Sequence, residues 1–351
     1  MVAWKQIAQT QAARGMLNLP LSWISMMNGP TKLVDGYVLD TRTQWMLRQL
    51  AASGRKPVNE LPVAQGRAQF EGFAAIMGGR PKKIGEIVDR TIPGPAGRLN
   101  VRIYRPWGMA PTGNPKPIVV FYHGGGWTIG SLNSHDRPCR YLCHRADCIV
   151  VSVDYRLAPE HKFPAAVEDA LAAFNWVAAN AHDLGGAPDM VAVAGDSAGG
   201  NLAAVIAQLT RSQALKPAFQ LLIYPATDFA MNTPSHASCG EGYLLTRPSM
   251  EWFRDQYLNG TQEQQDPRAS PLKAADFKGL PPSMVITAGF DPLRDEGKAY
   301  ADALTAAGVP VVYRNFDGLI HGFINTLGVV HAAARAMDEI AYGLRQGMAT
   351  R

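Results

Sequence analysis

Charge is scarce in this chain and nowhere concentrated. Only 18% of the 351 residues are Asp, Glu, Lys or Arg, and no run of Lys and Arg is longer than Lys82-Lys83. The net charge of +5 is therefore spread over a solvated surface, without the basic stripe that binds nucleic acid. Cysteine is scarce as well. Cys139, Cys143, Cys148 and Cys239 are the four present, and three of them fall in one helix-to-strand segment, so no disulfide framework is expected and a reducing, cytoplasmic compartment fits. No apolar run reaches the length of a membrane-spanning helix. Residues 16–27 are mostly apolar and follow Lys5 and Arg14, but Pro20 interrupts them and no small-x-small cleavage site comes next. They read as a helical lid rather than a secretion signal. Internal repeats and low-complexity tracts are also missing. What remains is a chain with 47% hydrophobic residues, enough to fold as one large α/β domain with an appendage, or as two domains.

A metal centre has little support in the spacing. Cys139 and Cys143 share a helical face, but His144 lies about 100° round from Cys143, and no second ligand pair follows. Buried thiols are the expectation, with neither metal nor cofactor.

The hydrophobic pattern divides the chain into four parts. Residues 1–85 show helical patterns broken at Gly15, Pro20, Gly29-Pro30 and Gly54, with no strands between them. Residues 87–92 and 99–104 flank a Pro-Gly turn and predict an antiparallel pair. Beyond them, apolar runs at 117–122, 148–153, 190–194, 219–223, 284–288 and 311–316 alternate with helical patterns at 136–145, 165–179, 198–210, 295–307 and 329–344. Short apolar strands alternating with helices mean a mostly parallel, eight-stranded sheet covered on both faces. Residues 228–266 break the rhythm with a helical stretch and no strand. The expected organisation is an N-terminal cap segment over 1–85, which a dimerisation or packing arm would match as well, a core over 86–227, a cap insertion over 228–266 and the rest of the core over 267–351.

Ligands of such sheets sit beyond the carboxyl ends of the strands, so the polar residues there are the candidates. Met190 to Ala194 leads into Gly195-Asp196-Ser197-Ala198-Gly199-Gly200-Asn201 and then an alanine-rich helix. Gly-x-Ser-x-Gly between strand and helix is the nucleophile-elbow pattern, with Ser197 at its apex. Asp291 follows the run at 284–288, and His321 follows Asp317-Gly318, which reads as a turn. The order Ser, Asp, His suits a nucleophile, an orienting acid and a general base. Asp295 is the rival acid but lies farther from the strand end. An oxyanion needs donors already in place. Gly124, Gly125 and Gly126 after His123, and Ala198 at a helix N-terminus, can supply them; which two glycines donate stays open. His123 is expected to anchor that loop and Asp196 to fix the elbow. His135 and His236 read as ordinary packed or solvated histidines.

Taken together, His123-Gly124-Gly125-Gly126-Trp127, Tyr155-Arg156-Leu157-Ala158-Pro159-Glu160, Phe163-Pro164-Ala165-Ala166, the Ser197 heptapeptide, Asp291-Pro292-Leu293-Arg294-Asp295-Glu296 and His321-Gly322-Phe323 resemble the hormone-sensitive-lipase-like esterases. Gly-Asp-Ser-Ala-Gly marks one of the two main bacterial subgroups of that family. The resemblance implies an α/β-hydrolase core with a helical cap, cofactor-free hydrolysis of short- to medium-chain acyl esters, and a homodimer. A non-catalytic ligand-binding module on the same fold is the reading from another class, and the presence of His321 weighs against it. An amidase, formamidase or lactonase would use the same site.

Overall fold

The computed structural model describes residue 15 and residues 19–109 and 115–349. Its centre is an eight-stranded sheet in the order β10-β9-β8-β7-β5-β6-β4-β3. The strands are β3 (Glu86–Gly94), β4 (Gly97–Arg105), β5 (Lys116–Tyr122), β6 (Ile149–Asp154), β7 (Gly186–Asp196), β8 (Phe219–Ile223), β9 (Ser283–Phe290) and β10 (Val311–Ile320). β4 runs antiparallel to both β3 and β6, and every other pairing is parallel. The central strands are apolar throughout because both faces are covered. In β5, Ile118, Val120 and Tyr122 enter one core, and Val119 and Phe121 enter the other, as the two-residue strand period requires.

Helices α4 (Asp136–Ala146) and α10 (His331–Ala349) contribute to one of these cores; α5 (Ala165–Ala179), α6 (Ala198–Thr210) and α9 (Arg294–Ala306) contribute to the other. All four cysteines are free and buried, and burial pushes the Cys143 thiol up to about 12. His144, by contrast, faces solvent. Among the described residues no helix is long and apolar enough to cross a membrane.

The N-terminal region holds α1 (Leu21–Met27), α2 (Thr41–Ala52) and α3 (Val63–Met77). Asp40 caps α2, accepting the Thr43 N–H at 2.9 Å. Residues 16–18 of the apolar stretch at 16–27 lie outside the described residues. The expectation of a strand-free region fails at a small hairpin, β1 (Leu33–Val34) with β2 (Tyr37–Val38). Asp35 and Gly36 form its turn with φ of 52° and 83°. An Asp-Gly pair in that conformation is the preferred two-residue hairpin turn, so the signal was present in the sequence.

The interval 228–266 contains no strand. It carries α7 (Pro234–Ser238) and α8 (Arg247–Tyr257). A second expectation fails in β10, where Asp317 and Gly318 form no turn but belong to the strand. Pairing with β9 shifts between Phe316 and Ile320, and Gly318 O accepts the Asp40 N–H at 3.0 Å. This irregularity carries the strand on to Ile320, so its end lies directly before His321.

Candidate active site

Ser197 sits where β7 gives way to α6. Its φ of 55° and ψ of −120° lie outside the regions that a residue with a Cβ prefers, a strain that a surrounding structure must hold in place. Three backbone hydrogen bonds hold it: Ser197 N–H donates to Ile223 O (2.9 Å), and Ser197 O accepts from Asn201 (3.0 Å) and Ala226 (3.3 Å). The turn is tight enough that a Cβ on Gly195 would strike the Gly199 backbone and one on Gly199 would strike Tyr122 O. Glycine is needed at both positions for close approach.

The sheet brings two other strand ends to this serine. Ser197 Oγ lies 2.8 Å from His321 Nε2, and His321 Nδ1 lies 2.9 Å from Asp291 Oδ2. The Asp291 carboxylate is fully buried, and its other oxygen accepts the Leu293 N–H at 2.8 Å. Asp295 is engaged elsewhere, with Arg294 Nε (2.9 Å) and the Ser235 N–H (2.8 Å). Of the two candidate acids, Asp291 is the one on His321.

The glycine loop is not uniform. Gly124 N–H donates to Asp196 Oδ1 at 2.8 Å, so it is not free for an incoming oxyanion, and the set of three candidate glycines is narrowed to two. Among the described residues the N–H groups of Gly125, Gly126 and Ala198 have no acceptor. Gly125 and Gly126 have φ of 123° and 57°, values open to glycine and strained for other residues. Ala198 opens α6, where an unpaired N–H and the helix dipole favour negative charge.

Beneath the loop lies a buried polar network. His123 Nδ1 donates to Gly124 O (2.8 Å), Tyr155 hydroxyl donates to His123 O (2.7 Å), and the two rings stack at 4.3 Å. Burial lowers the His123 pKa to about 3, so the ring is a neutral strut. Asp196 Oδ1 also lies 3.1 Å from His135 Nε2. Burial on its own would raise the Asp196 carboxyl, but His135 and the Gly124 N–H outweigh it and hold the pKa low. His135 was not singled out by sequence, since nothing near it marks it as a partner of Asp196, 61 positions on. The same holds for Glu296. It is 1% exposed, with its carboxyl pushed up by burial and close to His236 Nε2 at 3.3 Å.

Ser197 and His321 open into a cavity of about 490 Å³. Besides core residues, its wall includes residues of the N-terminal region (Leu47, Leu50, Phe70, Phe73) and of the 228–266 interval (Leu244, Phe253). Phe253 lies against Gly126 so closely that a Cβ there would meet its ring. Trp127 stacks on Tyr257 of α8 at 4.3 Å, so α8 packs on the glycine loop at two points.

A serine, an imidazole and a carboxylate in hydrogen-bonded series, with free N–H groups beside the serine, is an acyl-transfer arrangement. A family profile described as "alpha/beta hydrolase fold" matches residues 119–325. The chain belongs to this family. Within it, the hydrolase stands among the hormone-sensitive-lipase-like members. It is 45% identical to the carboxylic ester hydrolase LipN of Mycobacterium tuberculosis over 327 residues, 90% of this chain and 85% of that one. It is 37% identical to an ethyl acetate hydrolase of Pseudomonas putida, over 85% of this chain and 96% of that one. Among solved structures, the hydrolase superposes on the hyperthermophilic esterase of Pyrobaculum calidifontis with a TM-score of 0.82, at 43% identity over 88% of this chain and 98% of that one.

Proposed function

We propose that this hydrolase cleaves carboxylic esters through an acyl-serine intermediate. The observation that carries the reading is the unbroken series from Ser197 through His321 to Asp291 at 2.8 and 2.9 Å. His321 takes the Ser197 proton as Oγ attacks the carbonyl carbon, and Asp291 holds the imidazole in the right tautomer and stabilises its cationic form. The carbonyl oxygen, now negative, is met by the N–H groups of Gly125, Gly126 and Ala198. Removing one donor of this kind typically costs about a hundred- to a thousandfold in turnover. As the tetrahedral adduct collapses, His321 returns the proton to the departing alcohol. Water, activated by the same imidazole, then frees the acid.

The N-terminal segment over 1–85 and the insertion over 228–266 form the cap in this reading, over a core formed by 86–227 and 267–351; the cavity lining shared by their described residues supports it. A volume of about 490 Å³ with a largely apolar wall suits short to medium acyl chains. The Gly195-Asp196-Ser197-Ala198-Gly199 sequence supports the subgroup named for it. The free, buried cysteines fit a cytoplasmic site of action. Val312, 58% exposed on the edge strand β10, fits a homodimer, which sedimentation would test.

Nitrophenyl esters of rising chain length, assayed with the parent and Ser197→Ala, test the mechanism. The parent turns over and the variant loses at least about a thousandfold; equal rates would sink the proposal. An organophosphate should also add covalently to the parent alone, as read by intact mass.

A further inference from the structure

Arg55 differs from the acidic groups on the cavity wall. It lies between α2 and α3 and lines the same cavity as Ser197 and His321. Its guanidinium rests over the Phe73 ring, 5.2 Å from the centroid. Among the described residues it has no hydrogen bond or ion pair. Burial alone pulls its pKa down, with no neighbouring carboxylate to oppose the shift.

The acids on that wall are already committed. Asp196 is held by Gly124 N–H and His135. Asp228 pairs with Lys273 Nζ at 2.9 Å. Glu296 accepts the N–H groups of Thr227 and Asp228. Lys56, beside Arg55, lines the cavity as well. Among the described residues the cavity wall therefore offers unspent positive charge at residues 55 and 56 and no unspent negative charge. A partly desolvated guanidinium presents a planar fork of donors that matches a carboxylate in two-point contact. The wall nearest it in sequence, Leu47, Leu50, Phe70 and Phe73, is apolar, and an alkyl chain would lie against it.

We propose that Arg55 binds a carboxylate carried by the substrate at the end remote from its ester, so that the preferred substrates are esters with an alkyl spacer and an anionic terminus. This rests on the ester-hydrolase reading above and names the class of ester. A net charge of +5 would draw such anions toward the molecule. A guanidinium that did no more than cover Phe73 would treat neutral and anionic substrates alike.

The experiment compares matched pairs. One pair places the anion on the acyl side, the nitrophenyl monoester of suberic acid against nitrophenyl octanoate. The other places it on the alcohol side, the hexanoyl ester of 6-hydroxyhexanoate against hexyl hexanoate. The readout is the ratio of kcat/KM, anionic over neutral, in the parent, Arg55→Gln and Arg55→Lys. In at least one pair the ratio falls about tenfold in Arg55→Gln, mostly through KM, with partial recovery in Arg55→Lys; a charge-assisted bond screened by partial exposure sets that size. Added salt narrows the parent's ratio. A ratio unchanged by Arg55→Gln in both pairs overturns the proposal, as does an equal fall for both members of each pair. Failure of all four esters to react with the parent would instead overturn the ester-hydrolase reading itself.

Discussion

Two layers meet at Ser197, and they are built by opposite rules. Below it, polar groups are buried and fixed by directional bonds: Ser197, His321 and Asp291 in series at 2.8 and 2.9 Å, and Asp196 gripped by Gly124 N–H and His135. Above it, the wall supplied by α2, α3 and α8 is largely apolar, shaped by Leu47, Leu50, Phe73 and Phe253. The difference reflects what each layer has to do. Proton transfer and oxyanion stabilisation depend on positions held to fractions of an ångström, because the energy comes from oriented dipoles in a dry site. Accepting an acyl chain needs volume and apolar area, which many side-chain combinations provide.

The largest loss is expected in the lower layer. Asp291→Asn keeps the shape but permits the wrong imidazole tautomer, and kcat for a nitrophenyl ester should fall by roughly ten-thousandfold. A loss of less than tenfold would show that His321 is oriented by something else.

The next test lies on the seam between the layers. Gly126→Ala puts a Cβ into the Phe253 ring at a φ of 57°, and kcat should fall about a hundred- to a thousandfold with KM much less affected. Phe253→Ala in the same chain removes the ring and should recover at least about a tenfold part of the loss, although the backbone strain remains. No recovery would mean that α8 does not position the glycine loop and that the layers are independent.

A third test concerns pH. Folded His123 has its pKa lowered from the ordinary 6.5 to about 3 by burial, so between those values the unfolded chain binds a proton that the folded chain refuses. Stability contributed by the neutral ring is complete above pH 6.5 and declines as pH falls toward 3, at up to about 1.4 kcal/mol per pH unit. His123→Asn keeps an N–H donor for Gly124 O but does not titrate. Its denaturation midpoint should therefore vary less steeply with pH over that window, and an unchanged slope would refute the buried-neutral assignment.

The smallest effect is expected in the upper layer. Leu50→Ala widens the cavity wall at a half-buried position, and the chain-length optimum should move one or two carbons longer, with stability down by about 1 kcal/mol. A fall in kcat for every chain length alike would show that the upper layer also sets the chemistry.

The lower layer was largely legible in the sequence because it depends on local backbone needs. Gly195 and Gly199 are required by an approach too close for any Cβ, and the run of apolar residues before Ser197 is required by a strand buried on both faces. α5 and α6 occupy the residues that their periodicity marks out. Partners brought together from distant segments left no such trace. His135 reads as any packed histidine until the fold sets it on Asp196, and Gly124 matches its two neighbours until Asp196 takes its N–H. The hairpin at Asp35-Gly36 is a different case, since its turn signal was local and readable.

Legible in the sequence were the alternation of strands and helices beyond residue 86, the elbow at Ser197, and the strands after which Asp291 and His321 come. Those features follow from periodicity, glycine sterics and strand-end chemistry, all of which act over a few residues. Tertiary packing sets which glycine amides stay free, which acid faces His321, and that Arg55 stands on the wall of the same cavity as Ser197 with no carboxylate partner among the described residues. Those facts depend on distances between segments far apart in the chain, and packing sets such distances only when the whole sheet and both overlying regions are in place.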